Sequence, residues 1–143
     1  MFIYKDKVID YHKDYGPLSM LLTDLINKLE TVQKELVDLM KRYDNETFKT
    51  NGHFYLKFKF CNKNGCRSCP HGPYWHQFYS TKGEIKGRYI GAKVTKSIAQ
   101  RYNCQTNLNV IKRYNKELQE LQKRKNKISN KLDRIRKILL SDV

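Results

Sequence analysis

An α+β fold is predicted, in which two long helices pair as an antiparallel coiled-coil hairpin and a small three-stranded antiparallel β head is inserted between them. Three observations lead there: an apolar stripe of heptad character near each end of the 143-residue chain, a period-two stretch between the stripes, and three cysteines within nine residues of one another (Cys61 to Cys69). A chain of this length holds one domain. Its expected parts are a first coiled-coil helix over 17–46, a zinc-binding β head over 47–94, a short helix over 95–103 and a long basic helix over 106–140.

The first stripe places apolar residues at 18, 22, 25, 29, 32, 36, 39 and 43, alternating steps of four and three as a coiled-coil seam does. Pro17 suits a first helical turn, and "DNETF" suits an end. The second stripe runs Ile111, Tyr114, Leu118, Leu121, Lys125, Ile128, Leu132, Ile135, Leu139, with Lys125 its one polar interruption. At 1.5 Å per residue the helices span about 39 and roughly 50 Å, long enough to pair. The first is acidic (Asp24, Glu30, Glu35, Asp38) and the second basic, which favours their pairing with each other; a homodimer through the remaining apolar positions is the alternative.

Between the stripes, "HFYLKFKF" alternates Phe54, Leu56, Phe58 and Phe60 with Tyr55, Lys57 and Lys59, the pattern of a strand with one apolar and one basic-aromatic face. "PYWHQFYS" and "KGRYIGAKV" read as two further strands joined by the turn "TKGEIKG". "TKSIAQRYN" reads as a short helix with Thr95 as N-cap, and "CQTN" as a break. The alternation buries Phe54, Leu56, Phe58 and Phe60.

Cys61-x4-Cys66-x2-Cys69 offers three thiolates from a single loop, and zinc takes four soft or borderline ligands in a tetrahedron. His71 is the expected fourth ligand, because residues two apart in an extended segment face the same side. His53, His76 and above all Cys104 are the competitors. The expected cofactor is one structural zinc. A catalytic zinc needs an open position and a nearby base, yet Glu84 is the sole acid between residues 47 and 106, so no enzyme is expected. A head with few aliphatic residues instead draws stability from the metal.

The stretch "KFKFCNKNGCRSCPHGPYWHQFYSTKGEIKGRYIG" resembles a family of short, uncharacterised proteins from prokaryotes, archaea and their mobile elements. In that family a Cys-x4-Cys-x-Cys cluster precedes His-Gly-Pro-Tyr-Trp, a charged hairpin, Tyr-Ile-Gly and a helix of coiled-coil character. The matching residues are Cys61, Cys66, His71 to Trp75 and Tyr89 to Gly91, within about 56–91; Cys69 stands one position later than the family's third cysteine. The resemblance implies a zinc-ribbon-like fold and His71 as a ligand, and it implies no activity.

The chain carries 29 Lys and Arg against 14 Asp and Glu, a net +15, and the excess lies on the central segment and the C-terminal helix. Cations interleaved with aromatic rings neutralise phosphates and stack on bases, so a nucleic acid is the expected partner, DNA over RNA. The residues expected to meet it are Lys57, Lys59, Lys63, Arg67, Tyr74, Trp75, Lys82, Lys86, Arg88, Lys93, Lys96, Arg101, Lys123, Arg124 and Lys127. A coiled-coil interaction protein that presents the zinc head to a protein partner, such as the transcription machinery, is the second expectation. "MFIYKDKVIDYHKDYG" lacks the uncharged core of a signal peptide, and no stretch approaches a membrane span, so a soluble cytoplasmic protein with no membrane partner is expected.

Overall fold

A computed structural model describes residues 2–4, 7–9, 16–64, 66 and 69–141. In chain order it contains β1 (Phe2–Tyr4), β2 (Lys7–Ile9), α1 (Gly16–Glu46), β3 (Phe54–Lys59), β4 (His71–Thr81), β5 (Glu84–Gly91), α2 (Lys96–Arg101) and α3 (Leu108–Ser141). The fold is α+β, with three helices among the described residues and a three-stranded antiparallel sheet in the order β3-β4-β5; β1 and β2 form a separate two-stranded ribbon. No helix among the described residues is long and apolar enough to cross a membrane.

The stripes read in the sequence are the buried faces of α1 and α3. Leu25, Val32, Leu36, Leu39 and Tyr43 are buried from one helix, and Ile111, Tyr114, Leu118, Leu121, Leu132 and Ile135 from the other. Their contacts run in antiparallel order. Glu46 pairs with Arg113, Arg42 with Glu117 and Glu35 with Arg124, and Leu25 clusters with Leu132 and Ile135. The helix boundaries follow local chemistry: Thr95 Oγ1 accepts the Ile98 N–H at the start of α2, and Asn107 Oδ1 accepts the Asn109 N–H at the start of α3.

The sheet has no core of its own. Phe54, Leu56 and Trp75 point from its inner face into one cluster with Val32, Leu36, Leu39 and Tyr43 of α1 and with Ile111, Tyr114, Leu118 and Leu121 of α3. Trp75 meets the Tyr43 ring edge-on at 5.1 Å and donates its indole N–H to Asn115 Oδ1 at 2.8 Å. Asn115 in turn donates to the Val94 carbonyl at 2.7 Å, so one buried amide ties the sheet and its exit to α3. Each polar atom in this knot has a partner, as burial requires.

Two sequence expectations change. Phe60 is 72 % exposed rather than buried, because the β3–β4 register shifts between Lys57 and Lys59 and the strand ends at Lys59, which breaks the alternation. The turn expected over "TKGEIKG" is only two residues long. Lys82 and Gly83 take left-handed φ values of 50° and 79°, the geometry of a tight hairpin turn, so Thr81 pairs directly with Glu84 and both strands lengthen.

Candidate metal centre and basic groove

The loop that follows β3 contains no aliphatic side chain between residues 61 and 70 and is organised by its cysteines. Cys61 Sγ lies 3.2 Å from Cys69 Sγ, too far for a disulfide, and the Cys61 N–H is 3.4 Å from the same Cys69 sulfur. Cys66 Sγ lies 3.4 Å from His71 Nε2, the imidazole of the first residue of β4. The four ligand atoms are all within 4.8 Å of one another. Tetrahedral zinc with bonds of about 2.3 Å to sulfur needs sulfurs about 3.8 Å apart, so these residues fit such an ion with little movement. They can hold a metal ion, and with four protein ligands no position is left for a reacting water. The hydrogen bond shared with Cys69 holds the Cys61 thiol below its ordinary range.

The competitors for the fourth position are engaged elsewhere. The Cys104 thiol faces the Thr106 carbonyl at 3.7 Å, and burial pushes its pKa up. His53 is bonded to Thr106, and His76 lies in the sheet between Tyr55 and Tyr89. Cys104 therefore does not close the site.

Lys125, the polar break in the second stripe, is tied to this loop. It is 3 % exposed and donates from Nζ to the Pro70 carbonyl at 2.8 Å, while Gln122, one turn earlier, donates to the Gly72 carbonyl. Burial lowers the Lys125 pKa, and the charges on Cys69 and Cys66 work against that shift. Three thiolates, one imidazole and a divalent zinc sum to a net negative site, so a buried ammonium beside it is electrostatically matched.

The cations expected at a nucleic-acid surface separate into several places. Lys57, Lys59 and Lys63 are exposed on β3 and the cysteine loop, and Lys82, Lys86 and Arg88 on the β4–β5 hairpin. Arg88 stacks over Tyr79 at 4.7 Å and Tyr102 at 5.2 Å, and Arg124 is paired with Glu35 at 2.6 Å. Arg101 and Lys127 are exposed on α2 and α3; Arg67 lies outside the described residues. Trp75 is a correction: it is fully buried, its indole held in the core by Tyr43 and Asn115, and it cannot stack on a base.

Lys93, Lys96 and Lys123 come together with two residues the sequence reading passed over. A groove of about 590 Å³ lies between the β5–α2 connection and α3, lined by Lys93, Lys96, Lys112, Lys116 and Lys123 with Glu120 as its single acid. Its floor is Val94, Leu108, Ile111 and Asn115. Lys112, Lys116 and Lys123 are spaced four and seven residues apart, which places them on one helix face, and that spacing was the available signal.

A family profile described as "Domain of unknown function (DUF6788)" matches residues 23–100. The match takes in most of α1, the whole three-stranded sheet and most of α2, well beyond the 56–91 stretch on which the sequence resemblance rests. No curated protein and no solved structure matches the chain.

Proposed function

The chain belongs to this family of domains of unknown function, and we propose that it is a zinc-stabilised nucleic-acid-binding protein whose partner is DNA. The observation that carries this reading is the groove with five lysines and one acid, on a chain of net charge +15. Lysines clustered along a groove neutralise phosphates and release the counterions condensed on them. In this reading α1 and α3 form an antiparallel coiled-coil hairpin with the β head inserted between them, zinc holds the Cys61–Cys66–Cys69–His71 loop, and the protein regulates or organises the DNA of a mobile element or its host. In this reading the zinc is structural, since four protein ligands leave it no open position, and the protein is not an enzyme.

The test is binding to duplex DNA, single-stranded DNA and RNA across a salt series. Log affinity is expected to fall linearly with log salt, by about 0.9 for each phosphate neutralised on a duplex, and Lys112→Ala and Lys116→Ala should each reduce that slope by about one. An affinity independent of salt defeats the reading and gives precedence to the protein-partner alternative.

A further inference from the structure

We propose that the solvent-facing side of the β3–β4–β5 sheet is a stacking platform for single-stranded DNA. This rests on the nucleic-acid reading above and adds which form of nucleic acid this face takes.

Directly opposed residues of an antiparallel sheet share a face. Tyr55 opposes His76 and His76 opposes Tyr89, so three rings stand in one row across all three strands, on the side away from Trp75 and Leu56. Tyr55 stacks on His76 at 5.5 Å and 27°, Tyr89 meets His76 edge-on at 5.5 Å, and Tyr74 meets Tyr89 edge-on at 5.9 Å. Tyr89 is 59 % exposed, whereas the inner-face Trp75 is fully buried. Four contiguous rings thus line the outer side of a sheet whose other side holds the core, with Tyr89 exposed and Tyr55, Tyr74 and His76 half-buried.

The backbone is adapted to this arrangement. Gly87 opposes Phe78 on the same face, and a Cβ there would collide with the Tyr55 hydroxyl, so the glycine lets the Tyr55 side chain lie across the central strand. An upright ring would present an edge, but a ring laid along the sheet presents a face.

The charge complements a phosphate backbone. Lys57 shares the face opposite Tyr74, and Lys49 sits over the Tyr55 ring at 5.9 Å. Over the outward positions from Tyr55 to Lys57, Tyr74 to Ser80 and Ile85 to Tyr89 there is no carboxylate and no side-chain amide. Cations beside stacked rings are the equipment for holding unpaired strands, since every base has a π-face; a paired duplex hides those faces. Stacking uses ring faces rather than base edges, which makes such binding sequence-tolerant, and the choice of DNA follows the nucleic-acid reading above.

The test uses the full chain with zinc and three probes of one sequence: a 12-nucleotide DNA strand, its duplex and the RNA equivalent. Tyr89→Ala, at an exposed position, is expected to weaken single-strand DNA binding about tenfold and leave duplex binding unchanged. Tyr89→Trp is expected to keep the affinity, and its indole fluorescence should be quenched by the single strand and not by the duplex, with the buried Trp75 contributing a constant background. Unchanged single-strand affinity in Tyr89→Ala overturns the platform, and RNA binding tenfold tighter than DNA overturns the choice of DNA. If every probe responds to Lys112→Ala and Lys116→Ala and none to Tyr89→Ala, the platform falls while the nucleic-acid reading stands. If no probe shows salt-dependent binding, both fall.

Discussion

The two ends of β3 are anchored by different chemistry. At its start, His53 is buried among neutral partners: the Phe54 N–H donates to Thr106 Oγ1 at 3.1 Å, the Thr106 hydroxyl lies 2.8 Å from His53 Nδ1, and His53 Nε2 faces Thr47 Oγ1 at 3.5 Å. The Thr47 hydroxyl donates to the Tyr43 carbonyl and the Tyr43 hydroxyl to the Phe54 carbonyl, so the chain of donors closes on itself. Only the neutral imidazole with its proton on Nε2 satisfies every member. At the other end, three thiols and an imidazole face one another through contacts of 3.2–3.4 Å, in an arrangement that could hold a metal ion. One joint is finished by the chain, and the other would, in the proposed reading, be finished by an ion. The start of the strand should therefore be indifferent to chelators and sensitive to core hydrogen-bond changes, and its end the reverse.

The largest expected effect separates the ends. Metal analysis should find one zinc per chain, and at free zinc a thousandfold above its dissociation constant, chelation should cost about 4 kcal/mol of stability. Amide exchange should show protection lost around Lys59 and His71 and kept at Phe54. Equal loss at both ends would join what the structure separates, and unchanged stability with no bound zinc would end the metal reading.

A smaller change strikes the opposite end. Thr106→Val keeps the shape but orphans the Phe54 N–H and His53 Nδ1, and should cost about 1–3 kcal/mol in urea unfolding. The loss should be the same with and without zinc, since sites that share no partners add. A loss that disappears on chelation would couple the two joints.

The smallest effect is pH. Burial lowers the His53 pKa below its usual value of about 6.5, so the unfolded chain takes up a proton that the folded chain resists. Stability from this group is complete above the unfolded value and is lost as pH falls through the folded one. Wild-type melting temperature should therefore fall on acidification below pH ~6.5, more steeply than that of His53→Gln. Parallel curves would assign the acid sensitivity to the metal end alone.

Much of this was legible in the residues. The seams at 25, 32, 36, 39 and 43 and at 111, 114, 118 and 121 are buried where the heptad spacing put them, because periodicity is a local property that tertiary contacts here reinforce. The grouping of Cys61, Cys66, Cys69 and His71 was legible for the same reason, all four lying within eleven residues. What was not legible depends on distant partners. Trp75 looked like a surface ring until Asn115, forty residues on, engaged its indole; Lys125 looked like a flaw in a stripe until Pro70, fifty-five residues back, gave it an acceptor. Phe60 was misplaced by a register shift that strict alternation cannot express. The ribbon of β1 and β2 was missed because three-residue strands carry too short a pattern to register.

Lys125 also bears on how copies of the chain treat one another. Were two α3 helices to pair in parallel through this seam, each would bring its ammonium against the other's, with no Pro70 carbonyl within reach and apolar residues on both sides. A lone cation at an interior seam position selects its partner by making the wrong one costly. The same side chain that donates to the Pro70 carbonyl inside one molecule would thus discourage the molecule from zipping onto its twin along this helix.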